Sequence, residues 1–364
     1  MKRKSHGFLV SFIILILMVS ALTTGCGNSS ETASTENLPE IRVSHQPEFE
    51  TFTTYQAIQE KRDIKAGVKF NLMYFDSGMP QIEALPANQW DVGATGGVPM
   101  LMAALRYDAY LIGIANDESL ANVVMARPNS PIFNHKNANG TFGTADQLKG
   151  QSILVTTVSS GHYALSNYLK SLGLKDSDVN IANLEQAQGV AAFDSGKGDL
   201  VSLWSPFMYS GLNKGWKVVA SGDQVKANIP LVIIANKKFA DEHPDQVVKF
   251  LSVYFDGIDT MKKDGVKLAD QYQAFLKDWA AMDTSKEDAA LDIQNHPVFD
   301  LKEQLAMFDS SKGPSEVKGW MQGIADFFTV QGKFTPAEMD EVMKSEFIND
   351  KFLKMLAKEK GLIQ

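Results

Sequence analysis

From Ile41 onward the chain alternates short apolar runs with stretches of helical spacing. "IRVS" is followed by Tyr55 to Lys61, "VKFNLMYF" by Pro80 to Leu85 and "WDVGA" by Pro99 to Arg106, and then come "YLIGIA" and "NVVMA". Short apolar runs between amphipathic stretches read as strands and helices, the rhythm of a mostly parallel sheet with helices on its faces. One α/β lobe is spelled out by about Ala126.

Between Arg127 and Gly140 the text changes to "RPNSPIFNHKNANG", whose prolines, asparagines and glycine mark a connector. The rhythm then restarts with "SILVTT", a helix from Ser160 to Leu172, "VNIANL", a helix from Glu185 to Phe193, "LVSLW" and "WKVVAS". A further strand, "LVIIAN" (Leu231 to Asn236), leads into a C-terminal third that is almost all helix. Helix starts there are well marked: Pro244 opens one, Ser285 pairs with Asp288, and Thr335-Pro336-Ala337-Glu338 is a capping box with proline at the first helical position. The expected organisation is one lobe from residues 41–126 plus about 231–364, and a second from residues 127–230. Crossings near Ala126–Pro131 and Asn228–Leu231 would create a ligand cleft and a hinge.

The segment before this body has a different character. Lys2, Arg3 and Lys4 precede an uncharged apolar stretch from Phe8 to Leu22, followed by Thr23, Thr24, Gly25 and Cys26. The layout is that of a secretory signal, residues 1–25, and it is shorter than the ~20 residues of a membrane-spanning helix. Cys26 is the only cysteine, so no intrachain disulfide is available. Residues 26–40 continue as "CGNSSETASTENLPE", small, polar and acidic, which reads as a flexible tether.

Charge removes several classes of function. The full chain carries a net −8, and loss of the leader takes away three basic residues and no acidic ones. No basic stripe or interleaved aromatic ladder is present, which argues against nucleic acid. The six histidines show no metal-ligand spacing and no thiol stands near them, so neither metal nor other cofactor is expected.

Ligands of open α/β sheets bind beyond the carboxyl ends of the strands. After "WDVGA" come Thr95, Gly96 and Gly97, then a helix; after "SILVTT" come Ser159, Ser160 and Gly161, then another. Each loop offers hydroxyls, free backbone N–H groups and a helix N-terminus, which suits an anion without any lysine or arginine. Each charge-assisted bond is worth roughly 1.5–3 kcal/mol. The plainer alternative is that Ser160 caps its helix and the glycines turn the chain.

His162 beside two serines raises the question of a hydrolase, but a nucleophile elbow needs a glycine two positions before the serine, and "VTTVSSGH" lacks it. After "LVSL", Trp204 and Phe207 offer an apolar wall for a ligand or, equally, inter-lobe core. Asp117 and Glu118 after "YLIGIA" suit a cationic end or simple capping, and Gln46 closes the first strand.

The pieces "IRVSHQP", "ALPANQWDVGATGGVPMLMAAL", "ANVVMARPNSPI", "VSSGHYALSNYLKSLGL" and "AAFDSGKGDLVSLWSPF" resemble the solute-binding proteins of ABC importers for nitrate, sulfonates and taurine. The leader similarly resembles a lipoprotein signal with Cys26 lipidated, although Thr23 stands where a bulky aliphatic is usual. The resemblance implies a two-lobed type II periplasmic-binding-protein fold, α/β, with a central cleft and a helical C-terminal region. It implies a monomeric, lipid-anchored extracytoplasmic protein that takes a small anion or zwitterion and works with a permease and its ATPase, without catalysis. Gln46, Thr95, Gly96, Gly97, Glu118, Ser159, Ser160, Gly161, His162, Trp204 and Phe207 would line the cleft. Two departures stand out: Ser205 occupies a position where family members often carry an acid, and Pro86 interrupts a helix that usually runs on. A thiamine-pyrimidine precursor is the alternative ligand on the same fold, and an enzyme of pyrimidine synthesis the rival function.

Overall fold

Two five-stranded sheets organise the protein, and each is assembled mostly from the runs that sequence marks as strands. The computed structural model describes residues 37–364; Cys26 and the leader lie outside the described residues. The first lobe begins with β1 (Glu40–His45), α1 (Phe52–Gln59), α2 (Arg62–Lys65), β2 (Lys69–Tyr74), α3 (Gly78–Glu83), β3 (Val92–Gly96), α4 (Gly97–Arg106) and β4 (Ala109–Asp117). The second contains β5 (Asn122–Ala126), α5 (Ala145–Leu148), β6 (Ser152–Val155), α6 (Ser160–Ser171), β7 (Asn180–Asn183), α7 (Gln186–Asp194), β8 (Leu200–Trp204), α8 (Phe207–Asn213) and β9 (Lys217–Ser221).

The chain then returns through β10 (Pro230–Asn236) and ends in α9 (Lys237–Glu242), α10 (Pro244–Asp264), α11 (Ala269–Ala280), α12 (Lys286–Asn295), α13 (Leu301–Met307), α14 (Glu316–Val330), α15 (Pro336–Lys344) and α16 (Lys351–Glu359). Pro244 is at the start of α10, Ser285 accepts from the Asp288 amide, and Thr335 with Glu338 closes the expected capping box. Pro86 falls in a short 3-10 turn after α3 ends at Glu83, which accounts for that helix being brief.

The sheet orders are β2-β1-β3-β10-β4 and β7-β6-β8-β5-β9. They share one plan: three parallel strands, then an antiparallel strand that carries the chain across, then an edge strand. This plan corrects one expected boundary. β5 belongs to the second sheet, so the first crossing lies at residues 118–121 rather than near Ala126–Pro131. The reason is pairing: "NVVMA" is bonded by β8 on one side and β9 on the other, and all five residues are buried. The second crossing, residues 222–229, begins earlier than the expected Asn228–Leu231, whose last two residues already belong to β10.

Lobe 1 has one large apolar cluster that runs from β1 into the C-terminal helices, with Trp90, Phe250, Tyr272 and Phe328 among its buried side chains. Lobe 2 has two smaller clusters, one on each face of its sheet. The lobes also touch away from the crossings. His162 and Tyr163 on α6 meet the ring of Phe327 on α14 edge-on, at centroid distances of 5.4 and 5.3 Å.

Candidate functional site

The two small-residue loops face each other. A β-carbon at Gly96 would lie 2.6 Å from the Ser160 Oγ of the other lobe, so the backbone of one loop sits against the hydroxyl of the second. Gly96 has no side-chain hydrogen bond capping α4, and the first amides of any helix lack an intrahelical acceptor. The N-cap of α6 is Ser159 rather than Ser160: its Oγ accepts from the His162 amide at 3.2 Å and donates to the Thr156 carbonyl at 2.6 Å. Two helix N-termini therefore converge on one place, with the Ser160 hydroxyl between them.

The neighbouring residues hold this geometry. Gln46 Nε2 donates to Gln81 Oε1 and to Thr95 Oγ1, at 2.8 and 3.2 Å, and so ties the end of β1 to that of β3. Gly97 packs toward Ile324 and Pro230, which makes it a close-approach position of lobe 1. In the second lobe Ser202 Oγ donates to the Gly161 carbonyl, and a β-carbon on Gly161 would touch the Trp204 ring at 3.3 Å. Gln186, which sequence reasoning did not single out, donates to Thr156 Oγ1 and accepts from the Trp204 amide.

Trp204 is buried yet joins none of the three apolar clusters, which favours a wall of the cleft over inter-lobe core. Phe207 is different: it packs half-buried on the Met208 and Tyr209 cluster of lobe 2. His162 is occupied elsewhere. Its Nε2 pairs with Asp176 at 2.7 Å and its Nδ1 faces the Val158 amide, so its ring turns from both serines and supplies no base to either. Asp117 is also committed locally, accepting from the Ser119 amide and hydroxyl.

Beside Trp204 lies a feature of which the sequence singled out only Glu118. Glu48, Glu50 and Glu118 are all buried, and so are Asp292 and His296 at the end of α12. Ser205, standing where an acid was expected, donates to Asp292 Oδ1, and Tyr272 donates to Asp292 Oδ2 at 2.7 Å. His296 Nδ1 lies 3.1 Å from Asp292 Oδ1 and Nε2 3.8 Å from Glu118 Oε1, while Phe49 stacks on its ring at 4.5 Å. Glu118 Oε2 accepts from Asn122 at 2.8 Å. Among the described residues no set of three or more His, Cys, Asp or Glu side chains is arranged to hold a metal ion.

Burial sets the charges here. Burial pushes Glu50 up to about 8, aided by the Glu118 carboxylate. It lifts Glu48 well above the usual carboxylate range, with repulsion from Glu50 and Glu118 adding to it. Burial pulls the His296 imidazole down, but Asp292 and Glu118 outweigh it and hold it at about 10. His45, buried without a counter-charge, falls to about 4.

These shifts predict how stability depends on pH in the ligand-free protein. The contribution of Glu50 is full below its ordinary 4.5 and is lost as pH rises through about 8. That of His296 is full below 6.5 and is lost as pH rises through about 10, whereas His45 costs stability as pH falls from 6.5 through about 4. The calorimetric melting temperature is therefore expected to peak on the acid side of neutrality and fall steadily from pH 7 to 10. A melting temperature that rises across that window contradicts the assignment.

Two lobes, a shared sheet plan and facing loops at the strand ends define a two-lobed binding protein. Residues 67–266 match the family described as NMT1/THI5 like, and the chain belongs to it. It is 30% identical to a Bacillus subtilis (strain 168) protein named for the binding of aliphatic sulfonates, over 71% of this chain and 76% of the relative. It is 28% identical to the taurine-binding periplasmic protein of Escherichia coli (strain K12), over 53% of this chain and 57% of that one. In fold it is similar to the nitrate-binding protein NrtA of Synechocystis PCC 6803, with a TM-score of 0.68 at 12% identity and 90% of both chains covered. The type II binding-protein fold with its helical C-terminal region is thus the observed one.

Proposed function

We propose that this chain is the extracytoplasmic solute-binding component of an ABC importer, held at the membrane through a lipid on Cys26. It closes its lobes on a small oxyanion-bearing solute such as a sulfonate, taurine or nitrate, and delivers it to a permease and its ATPase. The carrying observation is the convergence of the α4 and α6 N-termini at Gly96 and Ser160. Paired helix ends supply N–H donors and aligned dipoles without basic side chains, and so favour an anion. Binding follows lobe closure about residues 118–121 and 222–229, and the ligand acts through its greater affinity for the closed arrangement. The relatives' names concern sulfonates and taurine, which fits this reading.

Titration of the purified protein against taurine, ethanesulfonate and nitrate tests the proposal. At least one is expected to bind saturably and raise the melting temperature. Saturable binding of a neutral sugar with none of the three would overturn it. The anchor has its own test: Cys26→Ala releases the protein from membranes, and unchanged retention refutes lipidation at that residue.

A further inference from the structure

We propose that Gln81 and Gln186 are positioning residues for solute capture: from equivalent places in the two lobes, each fixes the parted strand ends that carry its lobe's share of the grip. This rests on the reading of the facing loops as the solute site.

The sheet plan makes the two glutamines equivalent. In lobe 1 the chain runs from the edge strand β2 through α3 to β3, and in lobe 2 from the edge strand β7 through α7 to β8. Gln81 comes from α3 and Gln186 from α7, and they are buried, at 0% and 3% exposure. β1 is paired with β3 through Val43–Val92 and Ser44–Gly93, and β6 with β8 through Ile153–Leu200 and Leu154–Val201. Past those pairs the chain goes on to Thr95 and Gly96 in one lobe, and to Thr156 and Trp204 in the other. Ligand crevices of α/β sheets open at such carboxyl ends. The backbone groups that the ladder no longer joins still need partners when they are buried.

A glutamine amide fills that gap because it donates and accepts at once. Gln81 Nε2 donates to Ser44 Oγ at 2.6 Å and to the Ala94 carbonyl at 2.9 Å, and so spans β1 and β3. Its Oε1 accepts from Gln46, which also donates to Thr95 Oγ1. Gln186 Nε2 donates to Thr156 Oγ1 at 3.1 Å, and its Oε1 accepts from the Trp204 amide at 3.1 Å, which spans the ends of β6 and β8. The Thr156 carbonyl in turn accepts from Ser159, the N-cap of α6. All of these partners lie outside the glutamine's own helix, so neither side chain serves that helix. Each instead stands one residue behind a cleft group, Thr95 through Gln46 and Ser159 through Thr156, and Gln186 holds Trp204 directly.

An apolar side chain of the same length would leave the Ala94 carbonyl or the Trp204 amide without this partner and free the strand ends to shift. Groups that grip a small ligand tolerate only about 0.5 Å of such movement. Affinity should therefore respond to these two glutamines beyond their contribution to stability.

The test measures Kd by titration calorimetry, well below the melting temperature, in the full chain and in Gln81→Met, Gln186→Met and Gln304→Met. Gln304 is the control: it is equally buried and bonds the backbone of Ile114 on β4, the outer edge of the lobe 1 sheet. The probes are taurine, ethanesulfonate and nitrate. For whichever binds the wild type, Gln81→Met and Gln186→Met are each expected to raise Kd about tenfold, the low end of the range found for groups that orient metal ligands. Gln304→Met should lower the melting temperature by a similar amount and leave Kd unchanged. Selective 15N-tryptophan labelling adds a direct readout, since the Trp204 amide proton should move upfield in Gln186→Met and stay in place in Gln304→Met. If a methionine variant fails to fold, glutamate at the same position, which keeps the accepting oxygen and loses the donor, replaces it with the same expected loss of affinity. Wild-type Kd in the cleft-side variants overturns the positioning role and leaves the oxyanion reading standing. An equal loss of affinity in all three variants assigns the effect to general loosening and also overturns it. Silence of the wild type toward all three probes overturns the oxyanion reading and the positioning role together.

Discussion

Asp292→Ala is expected to destabilise the protein by about 3–5 kcal/mol, the cost of breaking a buried ion pair by deleting one partner. Asp292 is fully buried and accepts from Ser205 Oγ and Tyr272 Oη while facing His296 Nδ1. Alanine leaves two hydroxyls without an acceptor and an imidazole, held at about 10 by Asp292 and Glu118, without its main counter-charge. A domain's whole stability is about 5–15 kcal/mol, so such a loss removes a large share of it. Urea unfolding measures it, and Asp292→Asn should recover part of the loss because it still accepts one hydroxyl. An alanine variant that unfolds at the wild-type midpoint shows that the network contributes nothing.

Gly96→Val is expected to weaken solute binding by about a hundredfold or more while changing stability little, since a near-attack of about 1 Å between packed atoms costs several kcal/mol of overpacking. Gly96 has φ −61° and ψ 148°, an extended conformation that valine adopts readily, so the backbone does not resist the change. The obstacle is across the cleft. The new β-carbon would sit 2.6 Å from Ser160 Oγ and 3.3 Å from Pro99 Cδ, and the two γ-carbons would extend further into the other lobe. Rotation of the Ser160 hydroxyl relieves part of the contact with an alanine β-carbon, whereas valine adds two further carbons at the same point. Separated lobes carry no such clash, so unfolding midpoints should stay close to wild type while Kd rises. Wild-type affinity in this variant would mean that capture does not require the loops to meet.

Local signals explain which parts of this architecture were legible. The strands, the capping box at Thr335 and the two small-residue loops each have a signature a few residues long. The first crossing was misplaced because "NVVMA" is apolar at every position, and an apolar run does not state which sheet it joins. That choice is made by β8 and β9, which lie some eighty to a hundred residues further along.

The buried acids were illegible for a related reason. In "HQPEFETF" Glu48 and Glu50 look like ordinary helix-start acids, and Asp292 with His296 four residues on looks like a solvated helix face. Only the return of α12 against the first strand's loop removes them from water. The partner of His162 was out of reach in the same way, since Asp176 comes after α6 and could not be paired with it by spacing.

The contact between α6 and α14 has a consequence for affinity. Phe327, His162 and Tyr163 bridge the lobes at a point distinct from Gly96 and Ser160. On the proposed closing motion, a contact that forms as the lobes meet would act as a latch: its strength would set what fraction of empty molecules are already shut, and the apparent dissociation constant scales inversely with the fraction in the competent state. Changes in the packing of three aromatic rings can thus retune the protein from scavenging a scarce solute to releasing an abundant one quickly, with every group that touches the solute left as it is.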